Sequence, residues 1–365
     1  MFYHIFYPLR EYFFGFNVFK YITFRASFAA VTSFLIAVCM GPFIIRRLKE
    51  LKVGQPIRKV EGGIDLWDLH KDKEGTPTMG GVLIILSILI STVLWADVLN
   101  VYVITALFAT LWLAAVGFID DYLKLAYNSS KGLKSGFKFL FQVILCLLLG
   151  VFLMYWPQTR DNFTVITFPF IKLILNVGVF YIIFMVLVVA GSSNAVNLTD
   201  GLDGLAVGCI IIASVGYAIM SYITGHFEFA GYLQTPFING TGELTVFCTA
   251  IAGAGMGFLW YNCPPAEVFM GDTGSLGLGG AIGIVAVLIK KEFLLIIIGG
   301  IFVIEALSVI LQVGSYKTRK KRILLMTPIH HHFEMKGWKE TKVTIRFWII
   351  AIICLLLGLS TLKLR

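Results

Sequence analysis

Two adjacent carboxylates, Asp120 and Asp121, end a long apolar run in the stretch LWLAAVGFIDDYLK, residues 111–124. Lys124 follows three positions after Asp121. One charge is enough to bring a chain out of a membrane, and carboxylates at or inside a membrane edge are functional by default. Two neighbouring carboxylates repel each other when both are ionised, which suits one of them to act as a base. The pair therefore predicts chemistry at this edge, with plain solvation of a helix end as the alternative.

A second segment between apolar runs is also rich in carboxylates and amides. SSNAVNLTDGLDGLA, residues 192–206, contains Asn194, Asn197, Asp200 and Asp203. Asp200 and Asp203 are three positions apart, so they would share one face if the segment were helical. Taken alone, the run is equally typical of a capped turn.

Two further segments complete the set. WYNCPPAEVFMGDTGSLGLGG, residues 260–280, has Asp272 between glycines just ahead of an apolar run. The amides at the start of the following helix could receive a phosphate, although Gly-rich turns of this kind are common without any function. TPIHHHFEMKGW, residues 327–338, contains three consecutive histidines. No nearby cysteine or further histidine completes a structural zinc site, so we expect these histidines to bind anionic groups of a substrate, with a solvated loop as the alternative.

These residue types in combination indicate one kind of chemistry. Mg²⁺ prefers carboxylate oxygens together with phosphate oxygens. Phosphoryl transfer depends mainly on positioning and on neutralisation of charge, which carboxylates, a metal ion and lysines can supply. The four segments therefore predict a phosphoryl-transfer site, provided that the fold brings them to one place.

The elements that must position these residues are membrane-spanning helices. The chain has 365 residues, of which 58% are hydrophobic and 14% are charged, whereas soluble domains are about a quarter charged. Its apolar runs approach the ~20 residues that cross the hydrocarbon core as a helix. We predict an all-α, polytopic integral membrane protein with about ten spans. The predicted spans are 22–45, 79–97, 100–119, 137–156, 173–191, 205–224, 244–261, 274–289, 293–313 and 345–362.

Lysine and arginine are concentrated after the first, third and ninth of these spans. Because basic loops stay in the cytoplasm, the chemistry-bearing segments are predicted on the cytoplasmic side and both termini on the opposite, periplasmic side. We interpret residues 1–365 as one transferase domain whose active-site face is formed by the loops 46–78, 120–136, 192–204, 262–273 and 314–344. The net charge of +9 follows from this bias and from anionic lipid headgroups, so no nucleic-acid partner is expected.

The ordered set of motifs resembles one family. The segments TPTMGG at 76–81, DDYLK at 120–124, NAVNLTDGLDGLA at 194–206, PPAEVFMGDTGSLGLGG at 264–280 and TPIHHHFEMKGW at 327–338 look like those of the bacterial phospho-N-acetylmuramoyl-pentapeptide-transferases. These enzymes are the lipid I synthases within the polyprenyl-phosphate N-acetylhexosamine-1-phosphate transferases. The resemblance runs from about FRASFA at 24–29 to the last span. Two departures stand out: the segment 58–75 looks longer than usual, and Gly277 stands where the family commonly has Ala.

The resemblance implies a reaction and a setting. Undecaprenyl phosphate would attack the β-phosphate of UDP-N-acetylmuramoyl-pentapeptide, giving lipid I and UMP with Mg²⁺ as cofactor. This is the first membrane step of peptidoglycan synthesis. The resemblance also implies a homodimer in the bacterial inner membrane with its active site facing the cytoplasm. Covalent attack by an aspartate and direct attack by the lipid phosphate are both compatible with the sequence.

Residue roles are carried over from the resemblance onto the matching positions. Asp272 takes the family's magnesium ligand, and Asp120 and Asp121 form the catalytic pair beside the metal. Lys124 and His331 are expected to assist catalysis. Five positions match those on the nucleotide side of the donor, with Phe269 offering an aromatic face to uracil: Asn194, Asn197, Asp200, Asp203 and Phe269. The other positions expected to bind substrate are Lys73, Thr78, Lys138, Asn262, His330 and His332.

Two alternative functions remain to be separated. A sister transferase would place N-acetylglucosamine phosphate on the same lipid, although the motifs at 76–81 and 327–338 favour the muramoyl enzyme. An ion-coupled transporter would also use membrane carboxylates, but transporters place them near the midplane in broken helices. Here the carboxylates are predicted at one face, which favours the enzyme.

Overall fold

The structure is a computed structural model, and it describes residues 1–50, 73, 75–127, 132–169, 171 and 173–363. Within these residues the predicted all-α architecture is confirmed, because the chain forms long helices and only two short strands. The long helices are α1 (Ile22–Glu50), α2 (Gly81–Trp95), α3 (Val101–Ala126), α4 (Ser135–Tyr155), α5 (Tyr181–Thr199), α6 (Leu205–Thr224), α7 (Leu244–Asn262), α8 (Gly271–Leu288), α9 (Gly300–Arg319) and α10 (Glu340–Ser360). Nine of these described helices are long and apolar enough to cross a membrane, and α2, with 15 residues, is shorter.

Helix α8 is the centre of the molecule, since all of its residues are buried. It packs antiparallel to α3, with Gly277 against Ala114 and Gly280 against Leu113. It also packs antiparallel to α5, where Gly279 lies against Ser193. Small residues let helix backbones approach closely in a membrane protein, so the Gly-rich sequence of α8 explains how one short helix contacts neighbours on several sides.

At the other side of the bundle, α7 runs parallel to α1. Gly253 packs against Ala30, and Gly257 packs against Ala37. At the start of both helices, the buried Arg25 guanidinium forms two hydrogen bonds of 2.6 Å with the Glu243 carboxylate. This ion pair ties α1 to α7 at the end of the bundle away from the acidic residues.

The fifth predicted span, 173–191, is wrong in position. Helix α5 runs from Tyr181 to Thr199, so the predicted loop 192–204 shrinks to the turn after Thr199. The polar residues of this stretch looked like a loop, but several of their side chains are bonded inside the bundle. Ser193, for example, donates a hydrogen bond to the carbonyl of Leu276 in α8. The condition that Asp200 and Asp203 lie on a helix is not met.

Other predicted boundaries also change. The ninth span is broken, because a short helix Glu292–Ile298 precedes α9, which begins at Gly300. The loop 120–136 is shorter than predicted, since α3 continues to Ala126 and α4 begins at Ser135. In 262–273, α8 already begins at Gly271, and the segment 314–344 contains the helix Ile329–Met335. Most of the loop 46–78, including nearly all of the long segment 58–75, lies outside the described residues.

Candidate active site

The end of α3 meets the start of α8, and three carboxylates lie at this junction. One oxygen each of Asp120, Asp121 and Asp272 lies within 4.8 Å of the others. Two glycines allow the approach. A Cβ at Gly117 would lie 2.1 Å from the carbonyl oxygen of Asp272, and Gly271 has φ +72°, a left-handed conformation that favours glycine.

Asp121 caps the start of α8 from outside the helix. Its carboxylate accepts hydrogen bonds from the backbone N–H groups of Asp272 (3.2 Å) and Thr273 (2.9 Å) and from the Thr273 hydroxyl (2.8 Å). A carboxylate at a helix N-terminus satisfies free amides and is favoured by the helix dipole. The amides that the sequence offered to a phosphate are therefore already occupied by Asp121, which corrects that prediction.

Asp120 has a different environment, although it is the adjacent residue. Its Oδ1 accepts from the backbone N–H of Leu133 (2.7 Å) and lies 2.9 Å from Lys138 Nζ. Its Oδ2 lies 2.6 Å from Lys124 Nζ. Asp120 is fully buried, and its partners are two lysines and one loop amide. The partners of Asp121 are instead the N–H and hydroxyl groups at the start of α8.

The two lysines connect Asp120 to Asp272. Lys138 Nζ donates to Asp272 Oδ2 at 2.5 Å, and Lys124 Nζ lies 3.3 Å from Asp272 Oδ1. Three carboxylates and two ammonium groups leave one negative charge when all are ionised. Oxygen ligands at this spacing suit a hard divalent cation, so the residues present fit the magnesium ion that the sequence predicts. A cation bound here would compete with the lysines for the same oxygens.

Asp200 lies beside this cluster, in the turn after α5. Burial raises the pKa of its carboxyl to about 8, and the negative charges of Asp272 and Asp121 add to the effect. The backbone amide of Gly271 opposes the shift. Asp200 therefore lies close enough to the three carboxylates to interact with their charges, and it belongs to the same site.

Asp203 and Asn262, which the sequence predicted to bind substrate, form hydrogen bonds mainly with the protein itself. Asp203 accepts from Lys73 Nζ (2.7 Å) and from the backbone N–H of Ala266 (3.0 Å). Asn262 accepts from the backbone N–H of Gly204 (3.0 Å) and donates to the carbonyl of Val268 (2.8 Å). Both side chains are buried, and their hydrogen bonds connect the turn 200–204 to the segment 262–268. We call this connected part of the site its wall.

Glu340, at the start of α10, completes this wall. One of its oxygens accepts from Lys73 Nζ (2.6 Å) and from the backbone N–H of Asp203 (2.7 Å). Lys73 thus lies between two carboxylates. The Phe269 ring, which is partly exposed, lies 5.9 Å from the same ammonium group.

Thr78 and Phe269 are brought together by backbone pairing. The N–H of Phe269 donates to the carbonyl of Pro77, and the N–H of Gly80 donates to the carbonyl of Phe269, both at 2.8 Å. Thr78 is buried, and its hydroxyl lies 2.9 Å from the position that a Cβ on Gly271 would occupy. The segment 76–81 therefore lies directly against the start of α8.

The three histidines have three different environments. His330 is fully buried, its Nδ1 lies 3.1 Å from Glu305 Oε1 in α9, and its Nε2 faces Gly201. His331 Nδ1 lies 2.7 Å from a Glu334 oxygen. His332 Nδ1 accepts from the backbone N–H of Leu325, and partial burial and the Lys336 ammonium lower the pKa of His332. His331 and His332 are partly exposed, whereas His330 is enclosed behind the turn at Gly201.

The remaining predicted residues lie on α5. Asn194 is exposed and donates hydrogen bonds to Gln142 of α4 (3.0 Å) and to the carbonyl of Ala190 (2.7 Å). Asn197, one turn later, is partly exposed. Four residues of the site were not predicted from the sequence: Gln142, Glu305, Thr273 and Glu340. A single polar or charged residue inside an apolar span is a functional signal in a membrane protein, and that signal was available for Gln142 and Glu305.

Comparisons with known proteins find similar sequences over the whole length of the chain. The family model of glycosyl transferase family 4 matches residues 103–290, and signature 1 of the phospho-N-acetylmuramoyl-pentapeptide-transferases matches residues 73–85. Proteins named phospho-N-acetylmuramoyl-pentapeptide-transferase from Citrifermentans bemidjiense, Geobacter sp. and Syntrophus aciditrophicus are each 51% identical to this chain, over 100% of both sequences.

Proposed function

Because the chain belongs to the phospho-N-acetylmuramoyl-pentapeptide-transferase family within glycosyl transferase family 4, we propose a specific reaction for it. It transfers phospho-N-acetylmuramoyl-pentapeptide from the UDP-linked donor to undecaprenyl phosphate, and the products are lipid I and UMP. A phosphate oxygen of the lipid attacks the β-phosphorus of the donor, and the bond between that phosphorus and UMP breaks. The observation that carries the proposal is the junction of α3 and α8, where three carboxylates and two lysines meet.

Asp272, with Asp120 beside it, would hold Mg²⁺ through carboxylate oxygens. Bound there, the ion would neutralise the negative charge of the diphosphate. Asp121 contributes less directly, because its oxygens accept three hydrogen bonds from the start of α8. Its main role in the proposal is to fix the position of Asp272.

Asp120 is our candidate for the group that accepts a proton from, or orients, the acceptor phosphate. It is flanked by Lys124 and Lys138, and both lysines also reach Asp272. These two ammonium groups lie where two anionic substrates must meet, so they can offset negative charge that the carboxylates do not neutralise. Direct attack by the lipid phosphate requires no covalent bond to the protein.

The nucleotide is proposed to bind near Phe269 and Lys73. The partly exposed Phe269 ring offers a face on which a uracil ring can stack, and the Lys73 ammonium lies beside it. Asp203, Asn262 and Thr78 support this wall from behind. The donor is also proposed to contact Asn194, Asn197, Asp200, His331 and His332, whereas His330 supports the turn at Gly201.

The membrane placement belongs to the same proposal. The site faces the cytoplasm of a bacterial inner membrane, where a soluble UDP-sugar is available, and the protein acts as a homodimer. Asp272 is the second residue of α8, and Asp120 lies near the end of α3. Carboxylates at the ends of helices support an enzyme that works at a membrane face over a transporter with a midplane site.

The test is UMP release by purified protein supplied with both substrates. We expect release from the UDP-N-acetylmuramoyl-pentapeptide donor only when undecaprenyl phosphate is present, and loss of release when a chelator removes divalent cations. Release from UDP-N-acetylglucosamine in place of this donor would identify the sister transferase. Absence of UMP release, with cation or proton flux across proteoliposomes, would support the transporter and overturn the proposal.

A further inference from the structure

Gln142 is a fully buried amide in α4, between phenylalanines and aliphatic residues. A buried amide is unfavourable unless its hydrogen-bonding groups find partners. Gln142 lies four residues after Lys138, so the two side chains are on one face of the helix, one turn apart. Because Lys138 contacts Asp120 and Asp272, Gln142 lies about 6 Å further along α4 from the acidic cluster.

Gln142 joins three helices by hydrogen bonds. Its Nε2 donates to Ser193 Oγ in α5 (3.3 Å), and Ser193 Oγ donates in turn to the carbonyl of Leu276 in α8 (3.0 Å). Its Oε1 accepts from Asn194 Nδ2 (3.0 Å). The arrangement holds the α5 residues Ser193 and Asn194 between α4 and α8.

These bonds decide which end of the Asn194 amide faces outward. A carboxamide has two N–H donors and one carbonyl oxygen. Asn194 Nδ2 donates to Gln142 and to the carbonyl of Ala190, so both donors are used inside the protein. Asn194 is nevertheless exposed. The group that it can offer to a ligand is therefore its carbonyl oxygen.

We propose that Gln142 is a positioning residue that holds Asn194 with its carbonyl oxygen directed to the substrate. An oxygen of this kind accepts a hydrogen bond from a hydroxyl or amide N–H group of the substrate and repels a phosphate oxygen. The inference rests on the proposed function, since it concerns the same site. It assigns to Asn194 a contact with the sugar or peptide part of the donor and leaves the phosphates to the lysines.

A double-mutant cycle tests the coupling between the two amides. Gln142→Met keeps the size of the side chain and removes its hydrogen bonds, and Asn194→Ala removes the contact group. We expect each single variant to lower kcat/KM for the UDP-linked donor about tenfold, and the double variant to be no worse than Asn194→Ala, because coupled residues are not additive. Cys146→Ala, which removes another buried side chain one turn further along α4, controls for packing and should leave kcat/KM unchanged.

Inhibition by the product UMP tests the chemistry of the contact. UMP carries a phosphate but neither the N-acetylmuramoyl group nor the peptide of the donor, so we expect Asn194→Ala to leave the inhibition constant of UMP unchanged. Weaker inhibition by UMP in Asn194→Ala would mean that the partner lies in the nucleotide or its phosphate, and additive losses in the cycle would mean that Gln142 acts only through packing. Either result overturns the inference. Wild-type turnover is measured first, so failure of the proposed reaction is distinguished from failure of this inference.

Discussion

Asp120 and Asp121 are adjacent in the chain, yet their carboxylates have different partners. Asp121 receives three hydrogen bonds from Asp272 and Thr273 at the start of α8. Asp120 lies among Lys124, Lys138 and the amide of Leu133. Successive residues of a helix point about 100° apart, which explains how the first carboxylate faces the lysines while the second faces a helix end. We therefore propose that the pair divides two tasks, a chemical one for Asp120 and a structural one for Asp121.

Substitution by asparagine should separate these tasks. We expect Asp120→Asn to reduce turnover on the order of 10²-fold or more, as for loss of a general base, with little change in Tm. Asp121→Asn places an amide N–H group against N–H groups of α8, so we expect a lower Tm as well as lower turnover. Both quantities are measured on purified protein at saturating magnesium and substrates. Equal, small losses of turnover in the two variants would contradict this division.

The Asp272 carboxylate contacts the ammonium groups of Lys124 and Lys138, and we propose that a cation takes their place at its oxygens. We expect Asp272→Asn to abolish UMP release at ordinary magnesium concentrations while the protein remains folded. A magnesium titration of the variant measures the effect, with Glu267→Gln, an exposed carboxylate in the preceding loop, as the control for net charge. Near wild-type turnover of Asp272→Asn would exclude the metal role.

At the scale of elements, the site depends on contacts between helices that are distant in sequence. Helix α8 receives its cap from α3, and the turn after α5 is held by Glu340 of α10 and by the segment 262–268. The short helix Ile329–Met335 is tied to α9 through His330 and Glu305. Asp121, Asp203 and His330 are thus each held by a partner from another element, an arrangement that favours a fixed geometry of the site.

The pair of Glu305 and His330 provides a test at this scale. In Glu305→Gln, the new side chain still offers an oxygen to His330 Nδ1, so we expect activity and Tm to stay near wild type. In Glu305→Leu, the buried imidazole loses its partner, which costs about 1–3 kcal/mol and should lower both Tm and turnover. If the two variants have the same Tm and turnover, the hydrogen bond between Glu305 and His330 does not hold the helix Ile329–Met335 in place.

On the scale of the whole molecule, the two ends of the bundle have separate polar clusters. The acidic cluster lies where α3 ends and α8 begins, whereas Arg25 and Glu243 pair at the starts of α1 and α7. Glu243 also accepts a hydrogen bond from the backbone N–H of Asp97 (2.9 Å). The helix segments between the two clusters are mainly apolar, so we expect the Arg25–Glu243 pair to contribute to stability without contributing to chemistry.

Glu243→Ala tests this separation. Removing one partner of a buried ion pair leaves an uncompensated charge, at a cost of about 3–5 kcal/mol, so we expect a clearly lower Tm. KM and kcat of the remaining folded protein should be unchanged. A change in KM for either substrate at a temperature below unfolding would show that the distal end is coupled to the active site.

The sequence by itself determined the helical architecture and the residues of the acidic cluster. Apolar runs predicted an all-α membrane protein, because a run of about 20 apolar residues crosses the hydrocarbon core as a helix whatever the rest of the fold. The carboxylates Asp120, Asp121 and Asp272 were identified from their place at the ends of such runs. The ordered motifs also indicated the family, which the comparisons confirm.

Tertiary structure decided the partners of these residues. Local polarity suggested that α5 ends near residue 191, but bonds from Ser193 and Asn194 to other helices let it continue to Thr199. The local sequence likewise predicted that the amides at the start of α8 could bind a phosphate. Instead, these amides donate hydrogen bonds to Asp121, about 150 positions earlier in the sequence. Hydrogen bonds between helices depend on which faces meet, and hydrophobic periodicity does not specify those contacts. The different environments of Asp120 and Asp121, and the parts taken by Gln142, Glu305 and Glu340, therefore emerge only from the packed helices.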